Sequence, residues 1–391
     1  MKYRILVATS SRSEYGLLRR LLKLLELNPN FELTLLVTGG HLKGIFRNSI
    51  EEILEDEFER IEILEIDPKE YPQSSGRIVG ELISKISSVF EKLSPDLVIL
   101  LGDRYEIFGV SAAAMLCDVP IAHIHGGEVT TGSKDELHRH AISKMASVHF
   151  VANEEFQKRL INMGEHPSRV FIVGGLGVES IAELEPIPKE QLQHELGITF
   201  QPLTALVAYH PDTINKGESG RQLGILTAAL DEFPEIGLIV TGANADTGGQ
   251  ESTRILKSYA EKRSNAVFVE NLGHVRFLSS LSYVDFIIGN SSSGLLEAPS
   301  MKIGTINLGN RQIGRPRAIS VLDIDFHQPA IEAAIRRIVS LDFKNSLKDC
   351  KNPYGEAGAS RKILNILEEI DFNNMLPKSF YEIGGEFCDG D

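Results

Sequence analysis

At 391 residues the chain is too long for one ordinary hydrophobic core and suits two domains. Its 42% hydrophobic and 24% charged residues are those of a globular protein, and no apolar run approaches the roughly 18–20 residues of a membrane span. A formal net charge of −14 argues against a nucleic-acid partner, though an anionic small molecule can still bind through local donors and helix N-termini.

The start, "MKYRILVATSSR", reads as a first strand and not as a signal peptide. Cys117, Cys350 and Cys388 are too scattered for a disulfide framework or a metal knuckle, so a cytoplasmic location is expected. Apolar runs then alternate with helical stretches. "YRILVATS" (3–10) precedes "EYGLLRRLLKLLEL" (14–27), where leucines recur at helical spacing. "FELTLLVTGG" (31–40), a helix around 76–93, "DLVILLGD" (96–103) and a small-residue helix at 108–117 follow. Next come "VPIAHIHGG" (119–127), a helix near 135–146 and "VHFVAN" (148–153). After a Gly- and Pro-rich joint at 169–190 the pattern restarts with runs at 203–211, 236–246, 266–273, 284–294 and 303–312. Strands apolar throughout and separated by helices argue for parallel sheets covered on both faces. The fold class is therefore α/β, in two doubly wound halves. The expected division is 1–175, 176–355, a helix at 356–371 packing back on the N-terminal half, and a tail at 372–391.

In such sheets ligands sit beyond the carboxyl ends of the strands. "DFIIGNSSSGLLEAP" ends a strand at Gly289 and then offers Ser291, Ser292, Ser293 and Gly294 at the start of a helix, where N–H groups and the helix dipole favour a phosphate. Glu297, one turn on, is placed to accept from ribose hydroxyls. The same residues also suit an ordinary serine cap. His210 in "AYHPD" and Arg12 in "TSSRSEYG" stand just past strands, where each could hold a diphosphate or serve only the local structure.

The densest cluster is "AHIHGGEVTTGSKDELHRH" (122–140), with His123, His125, His138 and His140 around Glu128, Asp135 and Glu136. Asp103 of "LGDRYE" ends a neighbouring run. Clustered carboxylates raise one another's pKa, which suits a base and an acid near neutral pH. A metal is poorly supported. His138 and His140 are two apart on a helix and point to different sides, and His123 is expected inside the sheet although it could share a strand face with His125.

In order, "TSSRSEYG", "VTGGH", "LGDRYE", "HIHGGE", "DELHRHAISK", "VANEEFQKRLINMGE", "ANADTGG", "GNSSSGLLEAP" and "NLGNRQIGR" resemble the hydrolysing UDP-N-acetylglucosamine 2-epimerases, over residues 3 to 370. These include the bacterial enzymes of sialic-acid and legionaminic-acid synthesis. The resemblance implies a GT-B architecture, two Rossmann-like domains facing a central cleft, and a UDP-sugar substrate. It implies removal of the C2 proton with loss of UDP to a 2-acetamidoglycal, then hydration to a free manno sugar, with no cofactor or metal. It assigns UDP binding to Arg12, His210, Ser292, Ser293, Gly294 and Glu297, with Ser291 beside them. It ties Asp103 and Asp135 to proton transfer. Many relatives read "HIEGGE", so His125 replaces a carboxylate and either it or Glu128 serves as base or acid. Asn244, Asp246, His274, Arg311 and Arg315 are candidate cleft-lining residues, the two arginines alternatively fixing their own loop. Assembly as a homodimer or homotetramer is a further expectation from the resemblance. The expected substrate is UDP-N-acetylglucosamine, or alternatively UDP-2,4-diacetamido-2,4,6-trideoxyglucose.

Overall fold

Short runs of aliphatic and β-branched residues build two all-parallel sheets in the computed structural model, which describes residues 2–42, 48–66, 75–131, 135–182, 184–211, 217–243 and 248–384. The first sheet holds β1 (Tyr3–Thr9), β2 (Phe31–Val37), β3 (Ile61–Ile63), β4 (Leu97–Leu101), β5 (Ile121–Ile124), β6 (Val148–Val151) and β7 (Val170–Ile172), in the order β3-β2-β1-β4-β5-β6-β7. The second holds β8 (Thr204–Ala208), β9 (Gly237–Thr241), β10 (Ala266–Val269), β11 (Phe286–Gly289), β12 (Gly304–Leu308) and β13 (Val321–Ile324), in the order β10-β9-β8-β11-β12-β13. Each order reverses beside its first strand, between β1 and β4 and between β8 and β11. Those two points are where such sheets accept ligands.

Strand pleating sorts the cores. Ile5, Val7, Leu97 and Ile99 face Leu18, Leu21, Leu22 and Leu25 of the helix Arg12–Leu27. Leu6, Ala8, Val98 and Leu100 face the opposite way, onto Leu82, Ile86, Phe90 and Val110. The second sheet repeats this, with Val207 and Ile288 on one face and Leu206 and Ile287 on the other. Both sheets are thus buried on both sides, as near-continuous apolar strands require.

The helix Arg12–Leu27 shows how a strand end is fixed locally. Ser11 caps it by accepting from the Glu14 N–H at 3.4 Å, and the Glu14 carboxylate turns back to accept from the Ser10 N–H at 2.7 Å. This reciprocal Ser–Glu arrangement satisfies donors at the helix start. Burial lifts the Glu14 pKa to about 7 against the opposing pull of Arg104.

By contacts the chain divides into two compact units. The first takes 1–128, 135–176 and 357–391, the second 129–134 and 177–356. The crossing of 129–134 into the second unit was not foreseen in the sequence. The joint at 169–190 also carries more structure than its Gly and Pro content suggested, for it holds β7 and the helix Leu176–Ala182. The helix Ala359–Glu369 buries Ile363, Leu364 and Leu367 in the first unit's core. The expected tail is corrected for its described part. Phe372 stacks on Tyr3, the Lys378 ammonium donates to the carbonyls of Lys144 and Ala146, and the Tyr381 N–H donates to Gly164. Residues 385–391 lie outside the described residues.

Gly289, at the end of β11, has φ +142°, and a Cβ there would stand 2.1 Å from the Ala208 carbonyl oxygen. Backbone cannot yield as a flexible side chain can. Gly289→Ala is therefore expected to cost at least about 3 kcal/mol, read as a lower urea midpoint. An unchanged midpoint would contradict the close strand approach.

Candidate functional site

In the first unit the carboxyl ends of β4 and β5 gather the ionisable groups. His123, inside β5, is fully buried. Its Nε2–H donates to the Gly102 carbonyl at 2.7 Å, and its Nδ1 accepts from Ser143 Oγ at 3.0 Å. Burial drives its pKa down to about 3, so it is a neutral sheet-interior histidine, as expected.

His125 does not share its face. The chain leaves the strand there with φ +64°, a left-handed conformation unusual for a non-glycine residue. The Gly126–Gly127 pair completes the turn. The strand face that His125 could have shared with His123 ends at Ile124, and the turn brings Glu128 back onto His125. His125 Nδ1 stands 2.5 Å from Glu128 Oε1. A carboxylate only accepts, so the neutral ring carries its proton on Nδ1 and presents Nε2 as an acceptor. Nε2 meets no hydrogen-bond partner among the described residues. A carboxylate-oriented imidazole with an open nitrogen is a competent general base.

Arg139 ties this pair to Asp103. It is 2% exposed, its Nη1 donates to the Glu128 carbonyl at 2.9 Å, and its Nη2 is bonded to the Asp103 carboxylate. Sequence reasoning missed Arg139. The available signal was its position three before Ile142, on the buried side of the helix Asp135–Met145. Asp135 opens that helix with a half-exposed carboxylate 3.8 Å from His138 Nδ1, and Glu136 stands 3.7 Å from His140 Nε2. Each of these histidines thus faces its own carboxylate instead of a common centre. Arg12 pairs with Glu52 at 3.3 Å.

The second unit's turning point is built around Asn290. Its Oδ1 accepts from the His210 N–H at 2.7 Å and its Nδ2 donates to the His210 carbonyl at 2.8 Å. One buried side chain thus brackets the second residue after β8. Burial, and then the Arg311 charge, push the His210 pKa down to about 3, so the ring is neutral at pH 7. The Asn290 carbonyl in turn accepts from Gln312 Nε2 at 2.9 Å and Arg311 Nη1 at 3.3 Å. Arg311 thereby fixes its loop, one of the two roles left open in the sequence, and Arg315 N–H closes the same turn onto the Gln312 carbonyl. Asn290 and Gln312 also escaped sequence reasoning.

The serine run is tighter than expected. Ser291 Oγ stands 3.4 Å from both Ser293 Oγ and Ser293 N, and the helix is the single turn Ser293–Leu296. Pro299 disfavours helical geometry in the residue before it, which stops the longer helix that "GLLEAP" suggested. Gly294 is buried, its carbonyl accepting from Thr305 Oγ1 at 2.8 Å, and the Glu297 N–H donates to the Ser293 carbonyl. Small, partly exposed serine side chains at the start of this turn suit an anion. His274 is the second residue of the helix Gly273–Leu281 after β10. Asn244 and Asp246 lie outside the described residues.

The sequence profile of the UDP-N-acetylglucosamine 2-epimerase family matches residues 23–368. The polysialic acid biosynthesis protein P7 of Escherichia coli is 35% identical over 97% of each chain. The Campylobacter jejuni GDP/UDP-N,N'-diacetylbacillosamine 2-epimerase (hydrolyzing) is 35% identical over 98% of this chain and all of that one. The crystal structure of the Neisseria meningitidis UDP-GlcNAc 2-epimerase bound to UDP-GlcNAc superposes with a TM-score of 0.81, covering 94% of this chain and 100% of that one at 18% identity. The paired parallel sheets are thus those of the GT-B-like α/β enzymes. The chain belongs to the UDP-N-acetylglucosamine 2-epimerase family.

Proposed function

We propose that this enzyme is a hydrolysing 2-epimerase that converts UDP-N-acetylglucosamine to UDP and N-acetylmannosamine. The observation that carries the reading is the His125–Glu128 pair, held with Asp103 on one buried guanidinium at the strand ends, in a chain of this family. His125 Nε2 takes the C2 proton while the Glu128 carboxylate accepts a hydrogen bond from Nδ1–H and steadies the imidazolium that forms. The electron pair of the C2–H bond becomes the C1–C2 double bond as the C1–O bond breaks, and UDP leaves with that bond's electrons. Water then adds at C1, and C2 is reprotonated on its opposite face. Asp103 and Asp135 are assigned to these later proton transfers.

Departure of UDP requires charge stabilisation. His210 as a neutral donor, the N–H and hydroxyl groups of Ser291, Ser292, Ser293 and Gly294, and Arg12 are assigned to the diphosphate, and Glu297 to the ribose. Hydrogen-bond donors fixed before the reaction cost no reorganisation at the moment of charge transfer. Asn290 supplies such fixation for His210.

A second reading keeps the reaction and changes the sugar to UDP-N,N'-diacetylbacillosamine. The names of two relatives, at 35% and 32% identity, favour it. Incubating the protein with each UDP-sugar and following phosphorus and proton NMR tests both. The expected result is UDP release with a free manno-configured sugar, faster from the true substrate. Transfer of the sugar to an acceptor with its C2 configuration kept would instead make the chain a GT-B glycosyltransferase.

A further inference from the structure

The segment Val129–Thr131 leaves the acid–base loop and packs with the second unit, and one turn receives it. The Ile313 carbonyl accepts both from the Thr131 N–H and from Thr131 Oγ1, each at 3.2 Å. Gly314 follows with φ +91°, and a Cβ on it would lie 2.4 Å from Val129 Cγ1 and 3.3 Å from Thr131 Oγ1. The absence of a side chain at 314 is what lets Val129 seat against the turn.

The turn itself is braced. Ile313 N–H donates to the Asn310 carbonyl at 3.1 Å, and Arg317 Nη1 donates to the Gln312 carbonyl at 2.8 Å while its Nε pairs with Asp323 at 3.0 Å. Through Gln312 and Arg311 it grips the Asn290 carbonyl, and Asn290 grips His210. At the other end, the carbonyl of Glu128, immediately before Val129, is held by Arg139. Every link is a short contact between named atoms, and the segment it reaches sits between Glu128 and Asp135 in the sequence.

We propose that the turn Asn310–Arg315 is a positioning element. It seats Val129 and Thr131 on Gly314 and Ile313, and so sets the placement of Glu128, and through it His125, according to the state of the phosphate-binding loop around Asn290. The proposal rests on the functional reading above and adds a coupling between nucleotide occupancy and the base. None of the turn's residues is assigned to the reacting carbon. They act through Val129 and Thr131.

The test uses the full chain, with UDP as binding probe and UDP-N-acetylglucosamine and UDP-N,N'-diacetylbacillosamine as substrates. Gly314→Ala, which meets Val129 and also puts a side chain on a backbone at φ +91°, should lower kcat for UDP release about tenfold or more while the Kd for UDP stays within about threefold. Unchanged kcat, or UDP affinity lost in step with kcat, would overturn the proposal.

Should Gly314→Ala fail to fold, Val129→Ala with Thr131→Ala loosens the seat without a clash and should show the same split between kcat and UDP affinity. Hydrogen exchange separates this proposal from the functional reading. Wild-type protein saturated with UDP should protect the amides of 125–131, and the loosened variant should lose that protection. If neither sugar releases UDP, the functional reading falls, and this protection still decides the coupling. Equal protection in both proteins, or none in the wild type, overturns it.

Discussion

Asp103→Asn is expected to lower turnover by about a hundred- to ten-thousand-fold, the range set by loss of a positioned proton-transfer group, while UDP still binds. The amide keeps the shape and one acceptor for Arg139 but cannot exchange a proton near neutral pH. It also leaves the buried guanidinium without its counter-charge, a change that costs up to about 3–5 kcal/mol when a buried pair is broken. Two readouts separate these effects. Turnover lost at an unchanged UDP Kd and only a modest fall in the urea midpoint marks a chemical role. Turnover retained removes Asp103 from the mechanism.

The second large effect is acid lability. Burial lowers the pKa of His41 to about 4 and of His123 and His210 to about 3, with the charges of Arg104 and Arg311 adding to the effect at His41 and His210. As pH falls below the ordinary imidazole value, the unfolded chain takes up these protons and the folded chain does not. Stability is therefore full above pH 6.5 and is lost on the way down to each folded pKa. At about 1.4 kcal/mol per pKa unit, each histidine withdraws about 3–5 kcal/mol over its whole window. Glu14 opposes this. Its pKa, raised to about 7, gives stability that is complete below the ordinary carboxylate value and is lost as pH rises through 7. One raised carboxyl does not offset the two lowered histidines of the same unit.

Glu165 extends the loss further. Burial alone would raise its pKa, yet the bonds from His149, Lys378 and Lys144 hold it at about 2, so its contribution fades between about pH 4.5 and 2. Against a whole domain stability of about 5–15 kcal/mol, the first unit should be strongly destabilised by pH 3. Urea midpoints should fall steadily from about pH 6.5 to pH 4, and His123→Gln, which can still bond Ser143 and Gly102, should flatten the slope. A flat wild-type profile would contradict the burial of these rings.

The sequence carried much of this architecture because both sheets are buried on both faces, and uninterrupted apolar strands are hard to mistake. It failed where that signature fades. β3 and β13 are edge strands of three and four residues, half-exposed, and "IEI" and "VLDI" look no different from loop. Within the candidate site, the residue types that do chemistry were visible as a cluster, but their supports were not. Arg139 meets Asp103 across 36 positions, and Gln312 meets Asn290 across 22, distances at which no local periodicity speaks. The turn at His125 was hidden for another reason. Strand alternation puts residues 123 and 125 on one face, and only the two glycines that follow hint that the strand has ended.

The reaction stands on proton abstraction at C2 by a base on the enzyme, with loss of UDP. Turnover of UDP-N-acetylglucosamine in heavy water, followed by proton NMR of the released sugar, reads that step directly. The expected product is a free manno sugar carrying deuterium at C2 in every molecule formed. A released sugar that retains its C2 proton and gluco configuration would contradict it.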